Sequence, residues 1–145
     1  MSKGRYRKSV FMVVYAGKKP EYLLLNRILH WNGWEFPKGG INGKENIEKA
    51  VIRELKEETG LKARKIIDLK VDGKFDYGRE LPDRPGIKGQ TFKLYAVEVK
   101  KGKVKIDKRE HTGCKWLTYK KAHNLLTFCV QKRCLKFVNW FLKSL

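Results

Sequence analysis

The chain has 145 residues, and its 34 lysines and arginines outweigh 15 aspartates and glutamates to give a formal net charge of +19. With 41% hydrophobic residues, we expect one globular domain over residues 1–145. No apolar run approaches the roughly 20 residues of a membrane helix, and residues 1–11 lack the apolar core of a signal peptide, which excludes membrane-spanning and secreted classes and predicts a cytoplasmic location.

The excess of positive charge predicts a polyanionic partner, because such a field steers polyanions towards the protein. Nucleotide polyphosphates, RNA and inositol polyphosphates all qualify. The alternative is a lysine-rich composition that serves solubility and selects no partner, since the lysines are spread through the chain. Nothing in the sequence indicates a membrane partner or an obligate protein partner.

Two strands are predicted near the start of the chain. Residues 9–15 (SVFMVVY) are predicted to form a buried strand. Glu21–Arg27 is predicted to form a second strand after the turn at residues 16–20, so the two should pair as a hairpin. The aromatic-rich residues 28–38 are predicted to be a loop.

A helix is predicted at Ile47–Thr59, with Asn46 as its N-cap and Gly60 as a left-handed stop. At about 100° per residue, the apolar positions of this helix lie near one side, and Glu54 and Glu58 fall on that same side with Glu57 close by. Clustered, partly buried carboxylates cost stability, and a hard divalent cation that takes oxygen ligands offsets this cost.

The second half of the chain is predicted to alternate strands with helices. A strand lies within residues 63–77, a Pro/Gly-rich loop covers 78–89, and a clear strand covers 91–99. The charged connection 100–108 is compatible with one short strand, and 113–117 forms another. Thr118 and Thr127 are predicted to cap two final helices, and three cysteines without metal-ligand spacing predict free thiols. This order indicates an α+β fold.

One stretch carries a resemblance to a known family. Nine residues fill every defined position of the pattern G-x5-E-x7-R-E-U-x-E-E-x-G-U, where U is aliphatic: Gly39, Glu45, Arg53, Glu54, Leu55, Glu57, Glu58, Gly60 and Leu61. This pattern is the Nudix box, and the chain resembles Nudix hydrolases along essentially its whole length. The resemblance implies an α/β/α sandwich with a mixed central sheet between helices, and hydrolysis of phosphoanhydride bonds by water with Mg²⁺, or with Mn²⁺ as a substitute ion.

The resemblance also implies roles for individual residues. Glu57 and Glu58 would hold the metal, with Glu54 bridging or supporting it and the Gly39 carbonyl as a further ligand. Arg53 would hold the Glu57 carboxylate in place, and Glu45 would pair with Arg53 or bind an outer metal. The general base is either a glutamate of the box or Glu110, whose alternative role is that of a surface loop acid. We expect His111 to be structural.

Specificity must come from residues outside the box. Lys38, in the run WEFPKGG, would direct its ammonium group at a phosphate, and Tyr77 would stack on an adenine ring or pack at a strand end. Gln90, Lys93 and Tyr95 would present one polar face of a strand to a phosphate chain, or face solvent. Two further residues, Arg27 and Trp34, complete the predicted substrate-binding set.

Among Nudix activities, these residues favour an asymmetric bis(5′-nucleosyl)-tetraphosphatase that splits diadenosine tetraphosphate into ATP and AMP. The run EHTGCKWLTYKKAHNLLTF resembles the C-terminal part of that group. The alternatives are an RNA 5′-pyrophosphohydrolase, which the long loop 78–89 and the charge favour, a hydrolase of another substrate such as a nucleoside triphosphate or ADP-ribose, and a non-catalytic binding module.

Overall fold

The computed structural model describes residues 4–145, so residues 1–3 of the basic N-terminal segment lie outside the described range. The described chain forms strands β1 (Arg5–Ala16), β2 (Glu21–Arg27), β3 (Gly33–Glu35), β4 (Lys38–Gly40), β5 (Ala63–Asp76), β6 (Ile87–Val99) and β7 (His111–Leu117). Its helices are α1 (Ile47–Thr59), α2 (Tyr119–Leu125) and α3 (Cys129–Lys143).

Strand β1 is the centre of one mixed sheet. It runs parallel to β6 and antiparallel to β4, and it meets β2 only at the turn, where Tyr15 pairs with Tyr22 and Ala16 with Glu21. The predicted hairpin is therefore confirmed at its turn and wrong beyond it. Past the turn, β4 occupies the edge of β1, and β2 pairs with β3 and β7 instead.

Side chains of β1 line two separate cores, because successive residues of a strand point to opposite faces. Phe11 and Val13 lie in the core beneath α2 and α3, and Val10 and Met12 lie in the core beneath α1. All four are fully buried. The sheet thus lies between helices on both faces, which confirms the predicted α/β/α sandwich.

The ends of the helices follow local hydrogen bonding. The Asn46 side chain accepts a hydrogen bond from the Lys49 backbone N–H, and Gly60 ends α1 with φ of 72°, both as predicted. The predicted cap at Thr127 is wrong, because its hydroxyl accepts the Trp34 backbone N–H instead (2.9 Å), and α3 starts after Phe128.

Several boundaries also differ from the predictions. The segment 28–38, predicted to be a loop, holds β3 and the start of β4, which are too short to show a periodic pattern. Strand β6 begins at Ile87, where pairing with Arg5 of β1 extends it, and residues 100–106 form no strand. No helix within residues 4–145 combines the length and the apolar character needed to cross a membrane.

The cap of α1 can be tested by Asn46→Ala. We expect this substitution to lower the free energy of unfolding by about 1 kcal/mol, because it removes the side-chain acceptor for the Lys49 N–H. Chemical denaturation would measure the change. Asn46→Asp keeps an acceptor and serves as the matched control, and equal losses for both variants would contradict the capping role.

Candidate active site

A cavity of about 250 Å³ opens where α1, β4 and the start of β7 meet. Its carboxylates are Glu54, Glu57, Glu58, Glu110 and Asp107, and its basic residues are Arg7, Arg27, Lys38, Arg84 and Arg109. Gly39, Gly40 and Gln90 complete the lining. The structure thus brings together most of the predicted site residues in one place: Glu54, Glu57, Glu58, Glu110, Gly39, Lys38, Gln90 and Arg27.

The three carboxylates of α1 that line the cavity lie in different environments. Glu58 is buried and accepts the Lys38 backbone N–H at 2.9 Å, and burial together with the nearby Glu35 charge raises its pKa well above the ordinary value. Burial also raises the pKa of Glu54, although Arg53 opposes this shift. The Glu57 side chain is 59% exposed and therefore stays accessible to a ligand.

Arg53 ties α1 to the segment before it. Its guanidinium donates two hydrogen bonds of 2.8 Å to Glu45, one of 2.7 Å to Glu54 and one of 2.9 Å to the Gly40 carbonyl, with a longer contact of 3.3 Å to Glu57. The bond to Glu45 is the main reason why the pKa of Arg53 is raised, and the same bond lowers the pKa of Glu45 to about 2. Arg53 therefore supports Glu54 more closely than Glu57.

Two glycines let charged groups approach the backbone of β4. A Cβ at Gly39 would lie 2.1 Å from Oε2 of Glu54, and one at Gly40 would lie 2.2 Å from Nη2 of Arg7. A side chain at either position would displace a charged group from the cavity. This close approach explains in physical terms why a glycine is needed at the first position of the box.

The donor set fits a hard divalent cation. Within residues 4–145 no three acidic, His or Cys side chains converge on one point, since Glu54 turns to Arg53 and Glu58 to the Lys38 N–H. However, the cavity offers several carboxylates, and the ionised form of Glu58 is disfavoured by its burial. A cation beside Glu58 would offset that cost, and oxygen ligands are those that Mg²⁺ takes.

Cationic side chains line the same cavity. Arg84 reaches the cavity from the β5–β6 loop. Its Nη1 donates to the Tyr77 hydroxyl (2.8 Å) and to Oε1 of Gln90 (3.1 Å). The Tyr77 hydroxyl in turn donates to the same Gln90 oxygen (2.8 Å). Arg7 of β1 joins them, and its pKa is lowered by burial and by the Arg84 charge. The sequence left open whether the basic run at residues 5–8, which contains Arg7, touches substrate or is solvated, so Arg7 was not among the predicted site residues. Together these cations suit phosphate oxygens.

A buried acid, Glu35, lies behind the cavity and was also missed. It is completely buried and accepts hydrogen bonds from Arg27 (3.0 Å) and His111 (2.9 Å), while the Lys38 ammonium is 3.3 Å away. Burial alone would raise the pKa of Glu35, but Lys38, His111 and Arg27 together lower it to about 2. The sequence signal that could have indicated a buried Glu35 is its position between two aromatic residues, Trp34 and Phe36.

An aromatic cavity of about 360 Å³ adjoins the charged one, and Lys38 lines both. Its rings include Trp31, Tyr77 and Phe128, and the Lys38 ammonium lies 4.5 Å from the centre of the Trp31 ring. Trp34, predicted to bind substrate, lines neither cavity. Pairing of β3 with β2 directs it to the core beneath α3, so Trp31 takes the place expected of Trp34.

Two more predicted substrate residues lie away from the site. Lys93 pairs with Asp72 (3.1 Å), and Tyr95 is buried in the core beneath α1. The predicted shared face with Gln90 is wrong, because side chains alternate along a strand and an odd separation places Gln90 on the opposite face. Glu110 does line the cavity, and its backbone carbonyl accepts the Ile28 N–H at 2.8 Å.

Comparison with known proteins identifies relatives along nearly the whole chain. The NUDIX domain model matches residues 5–141. The RNA pyrophosphohydrolase of a Nitratiruptor species is 30% identical over 152 residues, which cover 99% of this chain and 98% of that protein. The asymmetrical bis(5′-nucleosyl)-tetraphosphatase of Rattus norvegicus is 33% identical over 125 residues, covering 86% of this chain and 82% of that protein. The fold is similar to that of a C. elegans Ap4A hydrolase in a binary complex (TM-score 0.75, 22% identity, 96% of this chain and 99% of that one).

The burial of Glu58 predicts a pH-dependent stability in metal-free protein. Because its pKa is raised in the folded state, Glu58 contributes stability that is present below about pH 4.5 and lost as the pH rises through the raised value. Glu58→Gln should therefore raise the Tm of chelator-treated protein at about pH 8, and the gain should shrink towards about pH 5.

Thermal unfolding at both pH values would measure this effect. Glu57→Gln is the matched control, because the exposed Glu57 carboxylate should change Tm little. A Glu58→Gln variant that is less stable than the parent at both pH values would contradict the cost assigned to the buried carboxylate.

Proposed function

Because this chain belongs to the Nudix hydrolase family, we propose that it is a magnesium-dependent RNA pyrophosphohydrolase that cleaves a phosphoanhydride bond at a 5′-triphosphate end. One observation carries the proposal, namely a single cavity that is lined both by carboxylates and by the cationic residues Arg7, Arg27, Lys38 and Arg84. Carboxylates suit a divalent cation, and the cationic groups suit the oxygens of a triphosphate.

Nudix enzymes generally use a divalent metal such as Mg²⁺, and such an ion would lower the pKa of water and offset phosphoryl charge here. Glu54, Glu57, Glu58 and the Gly39 carbonyl would hold it. The carboxylate of Glu110, which lines the same cavity, would accept the proton of the attacking water.

The cationic side chains would bind the phosphate chain. Arg84 is held in one orientation by Tyr77 and Gln90, so its guanidinium is ordered before substrate arrives. Such prior ordering reduces the entropy lost on binding and aligns the donors with the charge that develops on the phosphoryl oxygens.

RNA is favoured here over diadenosine tetraphosphate, in contrast to the preference drawn from the sequence motifs. The RNA pyrophosphohydrolase relative aligns over almost the full length of both chains. The net charge of +19 also suits a long polyanion better than a dinucleotide, because each phosphate that a lysine or arginine neutralises releases counterions.

Diadenosine tetraphosphate remains a second candidate substrate because of the aromatic cavity. Trp31, Tyr77 and Phe128 surround a space next to Lys38 that can accept a nucleobase. Stacking on such rings contributes about 1–3 kcal/mol per base, which is enough to orient one adenosine while the phosphates lie in the charged cavity.

Product analysis would test the proposal. With Mg²⁺, we expect 5′-triphosphorylated RNA of about 20 nucleotides to lose pyrophosphate, or two phosphates in succession, and to retain a 5′-monophosphate. Because phosphate contacts release counterions, kcat/KM should fall at least about tenfold between roughly 50 and 200 mM salt. Ion-exchange chromatography would separate the products.

Two glutamates of α1 provide matched variants. Glu57→Gln should abolish hydrolysis with folding intact, whereas Glu48→Gln, at an exposed position that the box pattern leaves undefined, should leave it unchanged. If the protein instead releases ATP plus AMP from diadenosine tetraphosphate and leaves the RNA intact, diadenosine tetraphosphate would replace RNA as the proposed substrate.

A further inference from the structure

Glu35 connects three segments that line the active-site cavity. Arg27 comes from the end of β2, Lys38 from the start of β4 and His111 from the start of β7, next to Glu110. Each places a cationic or N–H group within 3.3 Å of the Glu35 carboxylate. Glu35 itself is 0% exposed and lines neither cavity, so it does not reach the substrate.

The cluster around Glu35 carries more positive than negative charge. One carboxylate faces both an arginine and a lysine, and all three side chains are at most 6% exposed. Glu58, a carboxylate of the charged cavity, also acts electrostatically on Lys38. Because burying an incompletely paired charge is costly, a further anion in that cavity, which both Arg27 and Lys38 line, would stabilise the two cations.

The orientation of each cation is fixed by several contacts. Nε of Arg27 donates to the Leu29 carbonyl (2.7 Å) while Nη1 donates to Glu35, and its guanidinium lies 4.6 Å from the centre of the Trp31 ring. The Lys38 ammonium lies 4.5 Å from the centre of the same ring and 3.3 Å from the Glu35 carboxylate. Without Glu35, the flexible Lys38 side chain would lose its only described ion-pair partner.

We propose that Glu35 is a positioning residue for phosphoanhydride hydrolysis. It holds Arg27 and Lys38 against the phosphate-binding cavity and, through His111, fixes the backbone at Glu110. It acts through these residues and touches no substrate atom. The role rests on the proposed function in that it requires a phosphate chain in the charged cavity.

The first experiment is a double-mutant cycle of Glu35→Gln and Lys38→Met, read out as kcat and KM on 5′-triphosphorylated RNA and on diadenosine tetraphosphate. Because a displacement of about 1 Å can cost about 100-fold in rate, we expect Glu35→Gln to lower kcat by roughly 10- to 100-fold with a smaller change in KM. The loss should largely disappear in the Lys38→Met background, since residues that act as one unit are not additive.

A second measurement does not depend on turnover. Binding of inorganic tripolyphosphate to metal-free protein would be measured by calorimetry. Lys38→Met should weaken binding at least about threefold in the parent protein, because it removes a desolvated cation, but should change little when Glu35 is already Gln. Equal effects of Lys38→Met in both backgrounds, or no effect in either, would overturn the proposal.

Controls separate positioning from stability and from the proposed function. Glu98→Gln, a strand carboxylate far along β6, should leave kcat and binding unchanged. Thermal unfolding shows whether Glu35→Gln folds, and if it does not, Glu35→Asp carries the test, since it keeps the charge but shortens its reach. If the parent protein hydrolyses neither substrate, the proposed function fails while tripolyphosphate binding still decides the role of Glu35.

Discussion

The geometry of the whole site depends on strand β1, which is buried on both faces and paired on both edges. Its parallel pairing with β6 brings Arg7 next to Gln90, and its antiparallel pairing with β4 brings Val10 next to Gly39. The same strand supplies the apolar side chains against which the carboxylate-bearing helix α1 packs. A shift of one residue in this register would exchange the two faces and separate the arginines from the glutamates.

Most of the charged groups of the site come from different elements of the fold. Glu54, Glu57 and Glu58 lie on α1, whereas Arg7, Arg27 and Lys38 come from strands and Arg84 from the β5–β6 loop. Each set also has an ion-pair partner of opposite charge. Arg53 pairs with Glu54, and Glu35 pairs with Lys38. A metal ion and a phosphate chain, as proposed for this cavity, would carry charges complementary to these two sets.

The sequence predicted the features that depend on local spacing. The α1 boundaries, the Asn46 cap, the Gly60 stop and the box carboxylates all follow from neighbours within one or two helical turns. It could not predict contacts between distant segments, such as Trp31 replacing Trp34 at the aromatic cavity, or Glu35 facing His111. Those depend on which short strands pair, and three-residue strands such as β3 and β4 leave no periodic pattern to read.

The Arg53 contacts also restrict how many residues can separate Gly40, Glu45 and Glu54. One guanidinium joins Glu45 and the Gly40 carbonyl, both before the helix, to Glu54 within it. Each residue inserted between Glu45 and Arg53 would turn the rest of α1 by about 100° and move Glu54 and Glu58 off the cavity wall. The spacing of the motif is thus as important as its composition, and length variation in this family should be confined to loops outside the segment from Gly39 to Leu61.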